Sequence, residues 1–461
     1  MLVIFSDTHL TDGTSGKTVN SGAFRVFRER LCDLAYEASW RKDGTYKPVE
    51  EITLLLLGDI LDMIRTTQWL NADKLRPWSN SDDPGFIQIV NSITDSVLKH
   101  NADSFAILRS ISRENQITVP KPGPGVERDS VERQPVKIHL HYMVGNHDWF
   151  CHLPSKAFNP ARMRIARELG LDESYAGGDP FPYCLEEAGA ESIRRACGEH
   201  HLYARHGDVY DLVNFDGDRN QSSLGDALVV ELIERFTETV GRDFKDRLGA
   251  DALEGLNEID NLRPYTVIPT WICAWLEESC PDPGLKKEIK MAWAKLVSKF
   301  FKVDFVRRQL SLRHRFANRK RLLSFFVFHV GFKISTFITW PHLNSTIALM
   351  ARWAGRQHNV PNYKHAGREP ALKKHQLRYV AYGHTHEYDF VPLRATRDMN
   401  ITGGQVYFNS GTWRPYHELT RLHPTKLEFV GYEVMTYIAF YKEDEREGRP
   451  FETWSGVLAP D

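Results

Sequence analysis

Short apolar runs, each closed by polar residues or glycine, set the rhythm of this chain. Residues 2–5, 53–57, 137–144, 201–205, 378–382 and 405–408 are such runs. They are short for helices, and they predict buried strands that deliver side chains to a site at their C-terminal ends. Between the first two, Phe24, Phe27, Leu31, Leu34 and Ala35 recur at helical spacing, so the chain begins β-α-β, with a helix over 24–39. Residues 66–115 turn helical in their second half, and the proline- and glycine-rich stretch 121–134 reads as a polar loop. Together they predict an excursion from the core over 66–136. From 212 to 375 the strand signals fade and helical periodicity takes over, clearest in 226–248 and 284–301. Two closing strands are predicted over 428–434 and 435–441. The expected organisation is a core in two parts, 1–211 and 376–461, interrupted by a helical insert or cap over 212–375.

Composition narrows the class. The 461 residues are 42% hydrophobic and include 31 Gly and 23 Pro, which argues against a disordered chain, a collagen-like one or a polytopic membrane protein. The 59 Lys and Arg nearly cancel the 60 Asp and Glu, so no overall charge pulls the protein toward nucleic acid. Cys32, Cys151, Cys184, Cys197, Cys273 and Cys280 form no C-x-x-C pair and read as reduced thiols. The run at residues 2–5 is too short for a signal segment and passes straight into polar residues. A cytoplasmic enzyme is the expectation.

The chemistry is concentrated where the strands end. In order, those ends read Asp7-Thr8-His9, Gly58-Asp59-Ile60-Leu61-Asp62, Gly145-Asn146-His147-Asp148, His206-Gly207-Asp208 and Gly383-His384-Thr385-His386. Two divalent cations ~3.5–4 Å apart need a bridging carboxylate, with imidazoles, carboxylates and an amide oxygen around them. This chain supplies that inventory. If the strands stay extended, Asp7 and His9 point to one side, as do His384 and His386. Glycines 58, 145, 207 and 383 let the backbone approach the ions. Among three nearby histidines, His206 is preferred to His200 and His201 as a ligand because it follows the apolar run and precedes Gly207.

D-x-H, GD-x-x-D, GNHD, an isolated H and GH-x-H, in this order, resemble the signature of calcineurin-like metallophosphoesterases. The resemblance covers residues 1–65, 137–150, 200–211 and 376–415. It implies an α/β sandwich of two mixed sheets flanked by helices, here carrying a large helical insert. It further implies that Asp7, His9, Asp59 and His386 hold one divalent metal, and that Asn146, His206 and His384 hold a second, with Asp59 bridging. Manganese is the expected metal, and zinc or iron also suits oxygen and imidazole donors. His147 would face the substrate, stabilise phosphoryl oxygens and protonate the leaving group, with Asp148 fixing its tautomer. The implied reaction is hydrolysis of a phosphodiester or pyrophosphate bond by a metal-bridging hydroxide. Asp62, Asp208 and Asp211 are expected to support ligands or loops. Beyond the last motif, Arg414 could bind a substrate phosphate and Asn409 could brace a ligand loop, or both could serve only the turn.

The predicted insert concentrates charge. Between 295 and 321 lie ten Lys or Arg against the single acid Asp304, interleaved with Phe300, Phe301, Phe305 and Phe316. Such a segment, with its apolar continuation to 340, could rest on an anionic membrane surface as a peripheral attachment, line a nucleic-acid groove, or be a solvated basic face. Lys333 and His329 interrupt the stretch 322–340, so no transmembrane span is expected. A basic apolar cover over a dinuclear site resembles the arrangement in UDP-diacylglucosamine pyrophosphatases, although GNHD stands here where that family has GN-R-D. Two competitors remain: a nuclease similar to the exonuclease subunits of double-strand-break repair, and a non-catalytic binding or scaffold protein that keeps the fold.

Overall fold

Alternate residues of the first strand face two different apolar layers, and that alternation organises the core. In the computed structural model, which describes residues 1–72, 74–262, 268–311, 361–373, 377–395, 404–419 and 429–458, β1 (Leu2–Phe5) lies beside β2 (Glu51–Leu57) in parallel register. A short antiparallel pair, β3 (Thr118–Pro120) and β4 (Arg133–Pro135), closes the base of the polar loop. β5 (Lys137–Met143) then adds in parallel to β2. β6 (Leu202–Ala204), β7 (Tyr379–Tyr382), β8 (Tyr388–Arg394) and β9 (Gln405–Ser410) build a second sheet in the order β6-β7-β9-β8, with only β8 antiparallel to its neighbour. β10 (Tyr416–Leu419) and β11 (Phe429–Tyr432) form a separate ribbon. β12 (Val434–Phe440) and β13 (Phe451–Val457) complete the first sheet in the order β13-β12-β1-β2-β5, both antiparallel to their neighbours. The chain is thus α/β with mixed sheets.

Leu2, Ile4, Leu55, Leu57, Ile438 and Phe440 of the first sheet share an apolar cluster with Tyr379, Ala381 and Phe408 of the second. Phe440 meets Tyr379 and Phe408 with ring centroids 5.3 and 5.4 Å apart. The opposite side chains, Val3, Phe5, Leu54 and Leu56, join Phe24, Phe27 and Leu31 of the helix Ser21–Ala38 in the larger cluster. That helix begins where the Asn20 side chain accepts from the Gly22 amide, and its buried positions are those the spacing predicts.

The six predicted core runs and the closing strand predicted at 435–441, here β12, are present as strands, with ends shifted by a few residues. β3, β4, β8, β10 and β13 were not predicted: β3 and β4 have three residues each, and a strand with one solvated face, such as β8 with its alternating exposure, lacks the continuous apolar run. The predicted strand at 428–434 is not a core strand: Phe429–Tyr432 pairs with β10 instead. The excursion carries the helices Pro84–His100 and Ala102–Arg113. Within the predicted insert, the described residues form helices, among them Ile268–Ser279, Pro283–Phe300 and Asp304–Leu310. The helix expected over 226–248 is interrupted by a π segment, Val229–Glu234, and ends at Asp243. Leu228, Val230 and Phe236 belong to the same cluster as Trp69 and Phe86 of the excursion. All six cysteines are free.

Candidate metal centre

β1, β2, β5, β6 and β7 each end just before one of the polar motifs. The chain does not stay extended past those ends. Asp7, His9, Asp59, His384 and His386 adopt positive φ values of 55, 46, 53, 72 and 64°. Left-handed backbone is uncommon and costly for residues with a Cβ, so the sharp turning there is held by the surroundings. The side-by-side presentation expected from strand alternation is therefore replaced by tight loops that wrap the motifs around one point.

There the structure brings six of the expected ligands into two groups. Asp7, His9 and His386 offer ligand atoms within 4.8 Å of one another, and so do Asp59, His206 and His384. His9 Nε2 lies 3.1 Å from His386 Nε2, and His386 Nε2 lies 3.4 Å from Asp7 Oδ1. Asp59 Oδ2 sits between the groups, 3.1 Å from His206 Nε2 and 3.7 Å from His9 Nε2. Asn146 Oδ1 is buried and lacks a hydrogen-bond partner, while Asp7 Oδ1 and His206 Nε2 are buried with only the imidazole or carboxylate of another candidate ligand beside them. A buried polar atom without a partner costs about 1–3 kcal/mol. One on Asn146, with carboxylate and imidazole atoms of the other candidate ligands turned toward one another beside it, fits a site shaped for cations.

The rings are oriented from behind. His9 Nδ1 pairs with Asp62 Oδ2 at 2.9 Å, His206 Nδ1 with the Leu57 carbonyl at 2.8 Å, and His384 Nε2 with Asp211 Oδ2 at 3.0 Å. Each histidine thereby keeps its other nitrogen for a ligand, the arrangement metal-binding imidazoles use. Burial opposes the charged form of Asp7 and Asp59, but the neighbouring histidines, His206 foremost, hold both carboxyls below their ordinary range. Burial likewise opposes a charged His206, yet Asp59 and Asp7 push it up to about 10. The cluster thus draws positive charge into a buried place.

His147 lies against this cluster, its ring centroid 4.6 Å from that of His9, and its backbone N–H donates to Asp59 Oδ1 at 2.8 Å. Asp148 does not fix its tautomer. Both Asp148 oxygens are taken by the Gly145 and Ile60 amides and the Tyr142 hydroxyl, at 2.6, 2.9 and 2.5 Å. Asp148 therefore shapes the loop. The partner of His147 is Asp62, whose Oδ1 lies 2.9 Å from His147 Nδ1 while its Oδ2 holds His9. Adjacency in sequence suggested Asp148, but its carboxylate turns back under its own loop. Burial lowers the basicity of His147, and the Asp62 and Asp59 charges overcome this to raise its pKa.

Two glycines are required by close approach. A Cβ on Gly145 would stand 2.3 Å from Asp59 Oδ1, and one on Gly383 would stand 2.6 Å from Asp7 Oδ2. After β9, Asn409 Nδ2 donates to the Gly383 carbonyl at 2.7 Å, and Thr412 Oγ1 to the Asp7 carbonyl at 2.7 Å, so this turn does brace ligand loops. Arg414 is buried, with its guanidinium close to Gly16. His200 instead bonds the Ala196 carbonyl at 2.8 Å. Sequence reasoning missed Arg219 and Glu369, both buried and both bonded to the ligand loops. Nothing in their local sequence distinguishes them.

No family model matches this chain, and no curated protein matches it either. The geometry therefore carries the functional reading. Of the basic segment, Lys295, Lys299, Lys302, Arg307 and Arg308 are described and exposed, and its part from 312 to 340 lies outside the described residues. Among the described residues, no helix is long and apolar enough to cross a membrane.

Proposed function

We propose that this protein is a metal-dependent phosphoesterase of the calcineurin-like type, hydrolysing a phosphodiester or pyrophosphate bond. The observation that carries this reading is the pair of three-residue groups joined at Asp59, with the buried Asn146 Oδ1 lacking a partner. Asp7, His9, Asp59 and His386 would hold one divalent cation, and Asp59, Asn146, His206 and His384 the other, manganese being expected and zinc or iron serving the same donors. Bound there, the cations would supply Lewis acidity and neutralise charge on the phosphoryl oxygens. His147, held at Nδ1 by Asp62, keeps Nε2 for the substrate and can deliver a proton from it to the leaving oxygen. Asp62 orients this proton donor and His9 at once.

The test is hydrolysis of bis-p-nitrophenyl phosphate against p-nitrophenyl phosphate by manganese-loaded protein, with Asp59→Asn as control. Asp59-dependent cleavage favouring the diester is expected. Absence of cleavage of either compound by a protein that binds manganese would favour the scaffold reading instead. The exposed Lys295, Lys299, Lys302 and Arg308 favour a second reading, an anionic polymer or membrane surface as partner, of which the nuclease is the catalytic form. That form requires DNA binding that weakens steeply with salt.

A further inference from the structure

The two candidate cation sites are braced from different parts of the molecule. Supports of the first come from core segments: Asp62 holds His9, and Thr412 Oγ1 and the Trp413 amide reach the Asp7 carbonyl at 2.7 and 3.3 Å. The second has core supports too, the Leu57 carbonyl behind His206 and Asn409 behind Gly383, but it is also reached from both ends of the helical insert. Near its start, Arg219 donates from Nη1 to the Gly145 carbonyl at 3.0 Å and pairs through Nη2 with Asp208. One guanidinium thus joins the loop carrying Asn146 to the loop carrying His206. It lies over the rings of Tyr183 and Phe215, 5.3 and 5.0 Å from their centroids.

Near the insert's return, Glu369 Oε1 accepts from the hydroxyls of Tyr210 and Tyr382, both at 2.6 Å, and lies 3.5 Å from Arg205 Nε. Arg205 precedes His206, Tyr210 precedes the Asp211 that holds His384, and Tyr382 precedes Gly383 and His384. The same Tyr210 ring stacks on His365 of the insert helix Asn362–Ala366, with centroids 4.4 Å apart. These contacts reach the loops of Asn146, His206 and His384 directly, and they meet the first site at one further remove, through His386 on the same loop and the His384 amide that donates to Asp7 Oδ2 at 3.0 Å.

We infer that Arg219 and Glu369 are positioning residues through which the helical insert sets the geometry, and hence the affinity, of the second cation site more than of the first. The inference rests on the dinuclear reading above. It makes the insert more than a cover: whatever occupies or shifts its ends alters one cation more than the other.

The experiment is a manganese titration of the full-length protein and of Arg219→Ala, Glu369→Ala and the milder Tyr210→Phe and Glu369→Gln, read by bound stoichiometry and electron paramagnetic resonance, with thermal melting alongside. Loss of outer partners typically weakens metal binding about 10–100-fold. Expected is one equivalent held nearly as in the parent protein and the other weakened about tenfold or more in the alanine variants, with the coupled-pair signal replaced by that of isolated Mn²⁺. Glu369→Gln, which keeps an acceptor for both tyrosines, should largely restore the pair. Should the alanine variants fail to fold, Tyr210→Phe removes only one hydroxyl and carries the same expectation in weaker form. Equal weakening of both sites, or of neither, overturns the inference and leaves the dinuclear reading standing. A parent protein that binds fewer than two equivalents overturns both.

Discussion

A single carboxylate, Asp62, faces two histidines with different duties, so its removal should separate orientation from ligation. Asp62→Asn takes negative charge from His147, whose pKa is raised by Asp62 and Asp59 against the effect of burial. A proton donor with a raised pKa stays charged to higher pH, and activity falls as pH climbs through that value. In Asp62→Asn, assayed at saturating manganese, the alkaline fall should therefore begin at lower pH than in the parent protein. An unmoved alkaline limb would show that His147 does not act as the acid. His147→Ala should slow turnover by ~10²–10⁴ while keeping nearly full metal content. Asp59→Asn should lose both, since this oxygen stands between the two groups. Equal metal loss in these two variants would contradict the division of roles.

Among the elements, close approach of backbone and strict alternation of side chains decide what is tolerated. Gly145→Ala directs a methyl at Asp59 Oδ1 and His206 Cδ2, so manganese binding should weaken about tenfold or more, measured by equilibrium dialysis. β5 makes a separate prediction. His141 is buried on this strand, and burial pushes its pKa down to about 4 from an ordinary value of 6.5. It is neutral in the fold, whereas the unfolded chain takes up a proton below 6.5. Stability is therefore unaffected above 6.5, declines as pH falls toward 4, and levels off below; the loss is about 2–4 kcal/mol. Urea unfolding of His141→Asn should show a flatter pH profile between 7 and 4, and a profile parallel to the parent's would refute this account.

At the scale of the whole molecule, core, excursion and insert share one apolar cluster, in which Trp69, Phe86, Leu228 and Phe236 are all buried. Hydrogen exchange in urea should therefore give a common midpoint for the helix Ser21–Ala38 and the segment 224–243. An insert that opens more than about 1 M earlier would show that the cluster is not cooperative. The polar residues at the strand ends and the helix over 24–39 were legible in the sequence from local signals, since apolar runs specify buried strands and the end of a buried strand fixes roughly where its next few residues lie. Which candidate ligands would meet in two groups was implied only by the resemblance of the ordered motifs to a known family. Tertiary structure alone decided that Asp62 rather than Asp148 holds His147, that the ligands turn through left-handed backbone, and that Arg219 and Glu369 reach back to the loops of Asn146, His206 and His384. Those are contacts between segments far apart in the chain. Their partners are chosen by how the two sheets and the insert pack, and no local pattern of residues encodes that choice.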